Sequence, residues 1–144
     1  MRIYTLGSNS FMNKMVELTD KLIALGVDGF IADHYRELVD GKRDNELDMW
    51  KRGERVEVKR QLNTFKLHYR HILESDAILL VNDEKHGIKN YIGGNVLIEM
   101  GQAFVNNKKI FFLNGMPEGL PYMDEIIAMD PICLNGDLAL LKKY

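Results

Sequence analysis

Glu99 is the residue in this chain whose type and position are best suited to chemistry. It lies within residues 93–103, where a glycine-bearing loop leads into an apolar periodicity typical of a helix. If Asn95 caps this helix, Glu99 falls in the first turn, where the positive end of the helix dipole favours a carboxylate. An ionised carboxylate there could act as a nucleophile or stabilise a developing cation. The alternative is an exposed helix acid, because Glu99, Gln102 and Asn106 share one polar face.

Two loops rich in turn-forming residues are candidates for ligand binding. The loop that begins at Gly7 contains Ser8 and Asn9, which could donate hydrogen bonds to a phosphate. The loop that ends at Gly93 and Gly94 lets the backbone approach a ligand closely, and the helix start after it favours anions. Neither G-x-x-x-x-G-K-[ST] nor G-x-G-x-x-G occurs, so the sequence predicts neither an ATPase loop nor a dinucleotide fingerprint.

Further polar candidates follow the other predicted strands. His34 comes after the second strand, Asn82 and Asp83 end the third, and Asn114 ends the fourth. Each of these side chains could contact a ligand, and each could equally serve the structure of its loop. The single cysteine, Cys133, lies in the fifth strand, where we expect a buried thiol.

The order of apolar runs predicts the fold that brings these residues together. Five short runs, read as strands, alternate with helical patterns, and they cover residues 2–6, 27–32, 76–82, 109–114 and 131–134. The helical patterns cover residues 11–25, 54–74, 95–106, 122–129 and 137–142. This alternation is typical of βαβ units and a parallel sheet with helices on both faces. We therefore predict a single α/β domain over residues 1–144, a flavodoxin-like three-layer sandwich with strand order 2-1-3-4-5. Its ligand crevice lies at the carboxyl ends of strands one and three.

Residues 33–55 do not fit this alternation. The segment is highly charged, yet it contains Met49 and the only tryptophan, Trp50. One interpretation is a solvated connection with a short helix. The other is a lid or dimer arm whose Met49 and Trp50 cover a ligand or a neighbouring subunit.

Composition excludes several classes of protein. A formal net charge of −2 in 144 residues gives no basic field for nucleic acid. No segment approaches the length of a membrane span, and the start of the chain does not resemble a signal peptide. One cysteine excludes an intrachain disulfide, and no Cys/His cluster has zinc spacing. We expect a cytoplasmic protein that binds a small molecule without a metal.

The chain resembles the nucleoside 2-deoxyribosyltransferase superfamily, which includes the deoxynucleoside 5'-monophosphate N-glycosidases. The resemblance rests on residues 3–8 (IYTLGS), 75–78 (SDAI), 98–103 (IEMGQA) and 108–110 (KKI). It implies that Glu99 attacks the anomeric carbon of a deoxyribosyl group, and that Tyr4 on the first strand orients this carboxylate by a hydrogen bond. It also implies that the loops around Gly7 and Gly93 hold the sugar or a 5'-phosphate.

Two positions depart from the family pattern. His68 and Gly93 stand where relatives carry aspartates that accompany the nucleophile. These departures favour an alternative, a nucleotide-sensing domain that keeps the fold and the pocket but has lost turnover. An NAD-cleaving enzyme of related architecture that uses the same glutamate is a third hypothesis.

The sequence thus predicts an N-glycosidase or deoxyribosyltransferase that acts on a deoxyribonucleoside or its 5'-monophosphate. Glu99 and Tyr4 are the predicted catalytic residues, and no cofactor is implied. The predicted substrate-binding residues are Gly7, Ser8, Asn9, His34, Asn82, Asp83, Gly93, Gly94, Asn95 and Asn114. A homodimer or higher homo-oligomer is expected, because the long helix 54–74 carries Phe65 and Tyr69 and because Trp50 is otherwise unexplained. The resemblance implies the same, because relatives complete their sites from a neighbouring subunit.

Overall fold

A computed structural model describes residues 1–144. It contains one five-stranded sheet in the order β2-β1-β3-β4-β5, and every pair of neighbouring strands is parallel. The strands are β1 (Arg2–Gly7), β2 (Asp28–Phe30), β3 (Ala77–Val81), β4 (Lys109–Phe112) and β5 (Ile132–Cys133). The predicted flavodoxin-like α/β sandwich is therefore confirmed in its topology.

Seven α-helices connect and cover these strands. They are α1 (Met12–Ala24), α2 (Asp33–Val39), α3 (Asp44–Lys51), α4 (Arg55–Gln61), α5 (Thr64–Glu74), α6 (Gly94–Val105) and α7 (Met123–Ala128). Two short 3-10 helices, Asn9–Phe11 and Leu138–Lys143, complete the chain. The second of these replaces the predicted terminal helix 137–142. None of the helices is both long and apolar enough to cross a membrane.

The core lies on the central strands. Every residue of β3 is buried, which requires cover on both faces of the sheet and explains why this run lacks polar alternation. Fully burying a side chain such as Leu79 or Leu80 contributes about 1.5–3 kcal/mol to folding. Gly7 ends β1 opposite Val81, where a Cβ would lie 2.9 Å from the Val81 carbonyl oxygen. Only glycine fits there, so the strand and the loop beyond it stay close to β3.

The prediction of one long helix over residues 54–74 is wrong in one respect, because the structure has two helices there, α4 and α5. Asn63 adopts a left-handed conformation with φ of 49°, which interrupts the helix between α4 and α5. Asparagine tolerates this conformation better than other non-glycine residues. After the break, α5 packs beside α6. The preceding helix α4 contributes residues to the wall of the cavity described below.

The second strand is shorter than the predicted run 27–32. It ends at Phe30, because α2 already begins at Asp33. Residues 33–55 therefore contain two helices, α2 and α3, where one interpretation expected a connection with a single short helix.

Candidate functional site

A cavity of about 300 Å³ opens at the carboxyl ends of β1 and β3. Eight of the residues singled out from the sequence line it: Gly7, Ser8, Asn9, His34, Gly93, Gly94, Asn95 and Glu99. The topology explains this convergence, because the loops after β1 and before α6 flank the point where strand order reverses.

Glu99 projects into this cavity from α6, but its setting differs from the predicted one. The helix cap is Gly93 rather than Asn95, so Glu99 lies in the second turn and no acid occupies the first. The side chain is 7% exposed, which excludes the alternative of a solvated helix acid. Burial raises the pKa of the Glu99 carboxyl to about 8, opposed by the nearby Lys59 cation. The carboxyl is therefore mostly protonated at neutral pH, and the helix dipole does not keep it ionised as predicted.

Tyr4 does not bond to Glu99, and this part of the prediction is wrong. Its hydroxyl lies 2.6 Å from Nδ1 of His68, and Tyr4 itself is fully buried beneath the cavity rather than lining it. His68 in turn has Nδ1 3.8 Å from Oε1 of Glu99. A histidine from α5 thus stands between the tyrosine and the glutamate that the sequence had paired directly.

His68, one of the two departures from the family pattern noted above, is 4% exposed and lines the cavity. It forms the buried face of α5 together with Ile72, four residues later, whereas Phe65 and Tyr69 of the same helix are exposed. Burial, with the neighbouring His34 and His71, lowers the pKa of His68 to about 3. The imidazole is therefore neutral.

His34, at the start of α2, lies beside His68 and Tyr35. Its ring centre is 4.1 Å from that of Tyr35 and 5.8 Å from that of His68. Burial lowers the pKa of His34 to about 4, with a smaller contribution from Arg43. Its Nδ1 atom has no hydrogen-bond partner. This nitrogen is closed off from solvent, so it does not itself offer a hydrogen bond to a molecule in the cavity.

Three cationic side chains that the sequence analysis did not select line the cavity: Arg55, Lys59 and Lys85. Lys85 donates from Nζ to Ser8 Oγ at 2.8 Å, and Lys59 donates to Asn95 Oδ1 at 3.1 Å. Burial and the nearby Arg55 lower the pKa of Lys85. Their partners here are neutral, so these cations remain available to an anion. Arg55 and Lys59 lie four residues apart on α4, whereas Lys85 reaches the cavity from the loop after β3, so their convergence depends on the fold.

The charged segment 33–55 contributes to the cavity wall. Leu47 and Trp50 of α3 line the cavity, and the Arg55 guanidinium lies over the Trp50 ring at 5.2 Å. Met49, named with Trp50 in the sequence analysis, is not part of the lining. Of the two interpretations, the cavity favours the segment as cover for a ligand site.

Glu46 of α3 is a second acid in the lining. One of its carboxylate oxygens accepts a hydrogen bond from Arg43 at 2.6 Å, whereas Oε2 has no partner. The structure contains no group of three or more His, Cys, Asp or Glu side chains arranged to hold a metal ion.

Asn82, Asp83 and Asn114 lie outside the cavity and join the ends of β3 and β4. Asn82 Oδ1 accepts from the Asn114 backbone N–H at 2.9 Å, and Asp83 accepts from Asn114 Nδ2 at 2.8 Å. Asp83 also forms a salt bridge with Lys14 at 2.6 Å. These contacts give the three residues a structural role in the loops, one of the two roles that the sequence allowed.

Comparisons with known proteins found no matching family model, no matching curated protein and no matching solved structure. The resemblance to nucleoside 2-deoxyribosyltransferases therefore stays a prediction from the sequence.

Proposed function

We propose that this chain cleaves the N-glycosidic bond of a deoxyribonucleoside or its 5'-monophosphate, with Glu99 as the nucleophile. The observation that supports the proposal best is the position of Glu99 at the cavity wall, almost fully buried and without a cationic salt-bridge partner. A buried acid that lacks a structural partner is costly for a fold, and such groups are concentrated at functional sites.

The chemistry requires the ionised form of Glu99. The carboxylate attacks C1' of the sugar as the C1'–N bond breaks, and the electron pair leaves with the base. Water, or a second base, then displaces the sugar from Glu99. Because burial raises the pKa of Glu99 to about 8, only part of the protein carries the nucleophile at neutral pH.

The cationic lining of the cavity fits a phosphorylated substrate better than a free nucleoside. Ser8, Arg55 and Lys85 cluster there, and the start of α6 at Gly93 adds backbone N–H groups. Cationic side chains with a helix N-terminus are the usual components of a phosphate site. The proposed function therefore includes the 5'-monophosphate as the better substrate.

A homodimer belongs to the same proposal. On α5, Phe65, Tyr69 and Leu73 are exposed at every fourth position, and on the adjacent α6 Ile98 and Val105 are exposed. Exposed apolar side chains on two packed helices are suited to contact with a second copy of the chain. Phe65 also lines the cavity, so a partner on this face would reach the edge of the site.

The second candidate is a nucleotide sensor without turnover. It is favoured by the protonated state of Glu99 at neutral pH and by the neutral His68 beside it.

One experiment separates the two candidates. Wild-type protein is incubated with a panel of deoxyribonucleosides and their 5'-monophosphates, and free base is measured by chromatography. Catalytic release of base from at least one compound supports the enzyme. Saturable binding without any release supports the sensor and contradicts the proposal.

A further inference from the structure

A hydrogen bond with the buried Tyr4 hydroxyl fixes the orientation of the His68 ring. The Tyr4 hydroxyl is 2.6 Å from Nδ1 of His68, and it has no other hydrogen-bond partner. Because Tyr4 is fully buried, its proton must be donated to Nδ1; the reverse arrangement would leave a buried O–H without an acceptor. Burial also raises the pKa of the Tyr4 hydroxyl well above its usual value, so the phenol keeps this proton. The neutral imidazole therefore carries its own proton on Nε2.

The Nε2 atom faces the cavity. It makes no hydrogen bond within the protein, and it is not one of the polar atoms that are both unpartnered and closed off from solvent. It therefore has accessible surface. Since His68 lines the cavity, the space next to Nε2 is the cavity itself. An N–H donor is thus available to a molecule in the cavity that Glu99 also lines.

The surroundings keep this donor neutral. The titratable groups that face His68 come from four elements, and they are Tyr4 of β1, His34 and Tyr35 of α2, His71 of α5 and Glu99 of α6. Burial among them lowers the pKa of His68 to about 3, far enough below neutral pH that the ring does not take up a second proton. A neutral imidazole can still stabilise a developing anion by donating a hydrogen bond.

We infer that His68 donates a hydrogen bond from Nε2 to the departing nucleobase, and that Tyr4 is the positioning residue that fixes this tautomer. The inference rests on the proposed function. As the bond between Glu99 and C1' forms, the C1'–N bond breaks and its electron pair moves onto the base. His68 keeps its proton throughout, and the base takes up a proton from water in the cavity. The ligand class is a nitrogen heterocycle with an acceptor atom beside its glycosidic nitrogen.

A comparison of leaving groups tests this role. The rate of cleavage is measured for the best natural nucleotide and for the 4-nitrophenyl 2-deoxyriboside carrying the same 5' group, whose weakly basic leaving group needs little stabilisation. His68→Leu removes the donor, and it should slow the natural substrate by about 100-fold, the usual effect of losing one such donor. The nitrophenyl compound should lose far less. His68→Gln retains an N–H donor and should recover part of the rate.

Equal losses on both substrates, or no loss on either, would overturn the role of His68 while leaving the proposed function intact. If wild-type protein cleaves neither compound, the proposed function itself fails, and the inference fails with it.

A second measurement does not depend on a folded variant or on activity. In ¹⁵N-histidine-labelled wild-type protein, NMR should show His68, assigned through its contact with Tyr4, with a protonated Nε2 and a bare Nδ1. A ring protonated on Nδ1 and bare on Nε2 would place the donor away from the cavity and overturn the inference.

Discussion

Oε1 of Glu99 lies 3.8 Å from Nδ1 of His68, and the two side chains are only 7% and 6% exposed. Burial raises the pKa of Glu99 to about 8 and lowers that of His68 to about 3. At neutral pH this contact therefore joins a carboxylic acid to a neutral imidazole, and it is not an ion pair. Ionisation of Glu99 should therefore change the rate of base release and the stability of the fold.

The rate of base release should rise with pH. A nucleophilic carboxylate must be ionised, so kcat/KM should increase tenfold per pH unit well below 8 and level off above it. The profile of kcat/KM between pH 5.5 and about 9.5 measures this. A rate that falls as pH rises through 8 would instead make Glu99 a general acid.

Glu99 should also make the fold less stable at high pH. Its pKa in the folded protein lies above the ordinary value of 4.5, so the folded state binds this proton more tightly than the unfolded state. Stability from this group is complete below about pH 4.5 and is lost as the pH rises to about 8. Each unit of pKa shift corresponds to about 1.4 kcal/mol.

Urea unfolding of wild type and Glu99→Gln at pH 5 and pH 9 measures this effect. The variant should gain stability relative to wild type at pH 9, because glutamine cannot ionise. Glu118→Gln, a matched change at an exposed acid, should give the same small difference at both pH values. A pH-independent difference for Glu99→Gln would show that Glu99 ionises normally.

Lys85 should distinguish a nucleotide from a nucleoside. Lys85→Met removes a charge next to Ser8 and should weaken binding of the 5'-monophosphate by about tenfold, since hydrogen bonds to charged groups contribute about 1.5–3 kcal/mol and Lys85 is partly exposed. Binding of the corresponding nucleoside should change little. Calorimetry on both ligands measures the effect, with Lys89→Met, an exposed lysine outside the cavity, as the control. Equal weakening of both ligands would place the phosphate elsewhere.

The exposed face of α5 should hold two chains together. Light scattering of wild-type protein at micromolar concentration should give the mass of two chains, and Tyr69→Asp should give the mass of one. Ile127→Asp introduces the same charge at an exposed apolar position on α7 and should leave the dimer intact. A monomeric wild type would contradict the proposed dimer.

The fold could be predicted because its signals are local and strong. The apolar runs of β1, β3 and β4 are buried on both faces, so they stand out without knowledge of their partners. The position of the crevice then follows from strand order alone. Glu99 and the loops around Gly7 and Gly93 were found in this way.

The arrangement within the site could not be predicted, because it depends on which residues meet in space. A single left-handed residue, Asn63, splits the predicted helix, and no periodicity reveals such a break. The role of His68 depends on its contacts with Tyr4 and Glu99, which lie on other elements. Trp50 of α3 and Arg55 of α4 are close in the chain, but Lys85 reaches the same cavity from the distant loop after β3. The raised pKa of Glu99 likewise comes from tertiary burial, which a helix-dipole argument does not include.

The most direct test of the central claim is the rate of base release by Glu99→Gln. The amide keeps the shape of the side chain and removes the nucleophilic charge, so no cavity is opened. If Glu99 attacks the sugar, wild-type protein releases base and Glu99→Gln does not measurably do so, while ligand affinity stays within about tenfold, or 1.4 kcal/mol. If wild-type protein and Glu99→Gln release base at the same rate, Glu99 is not the nucleophile and the proposed mechanism is wrong.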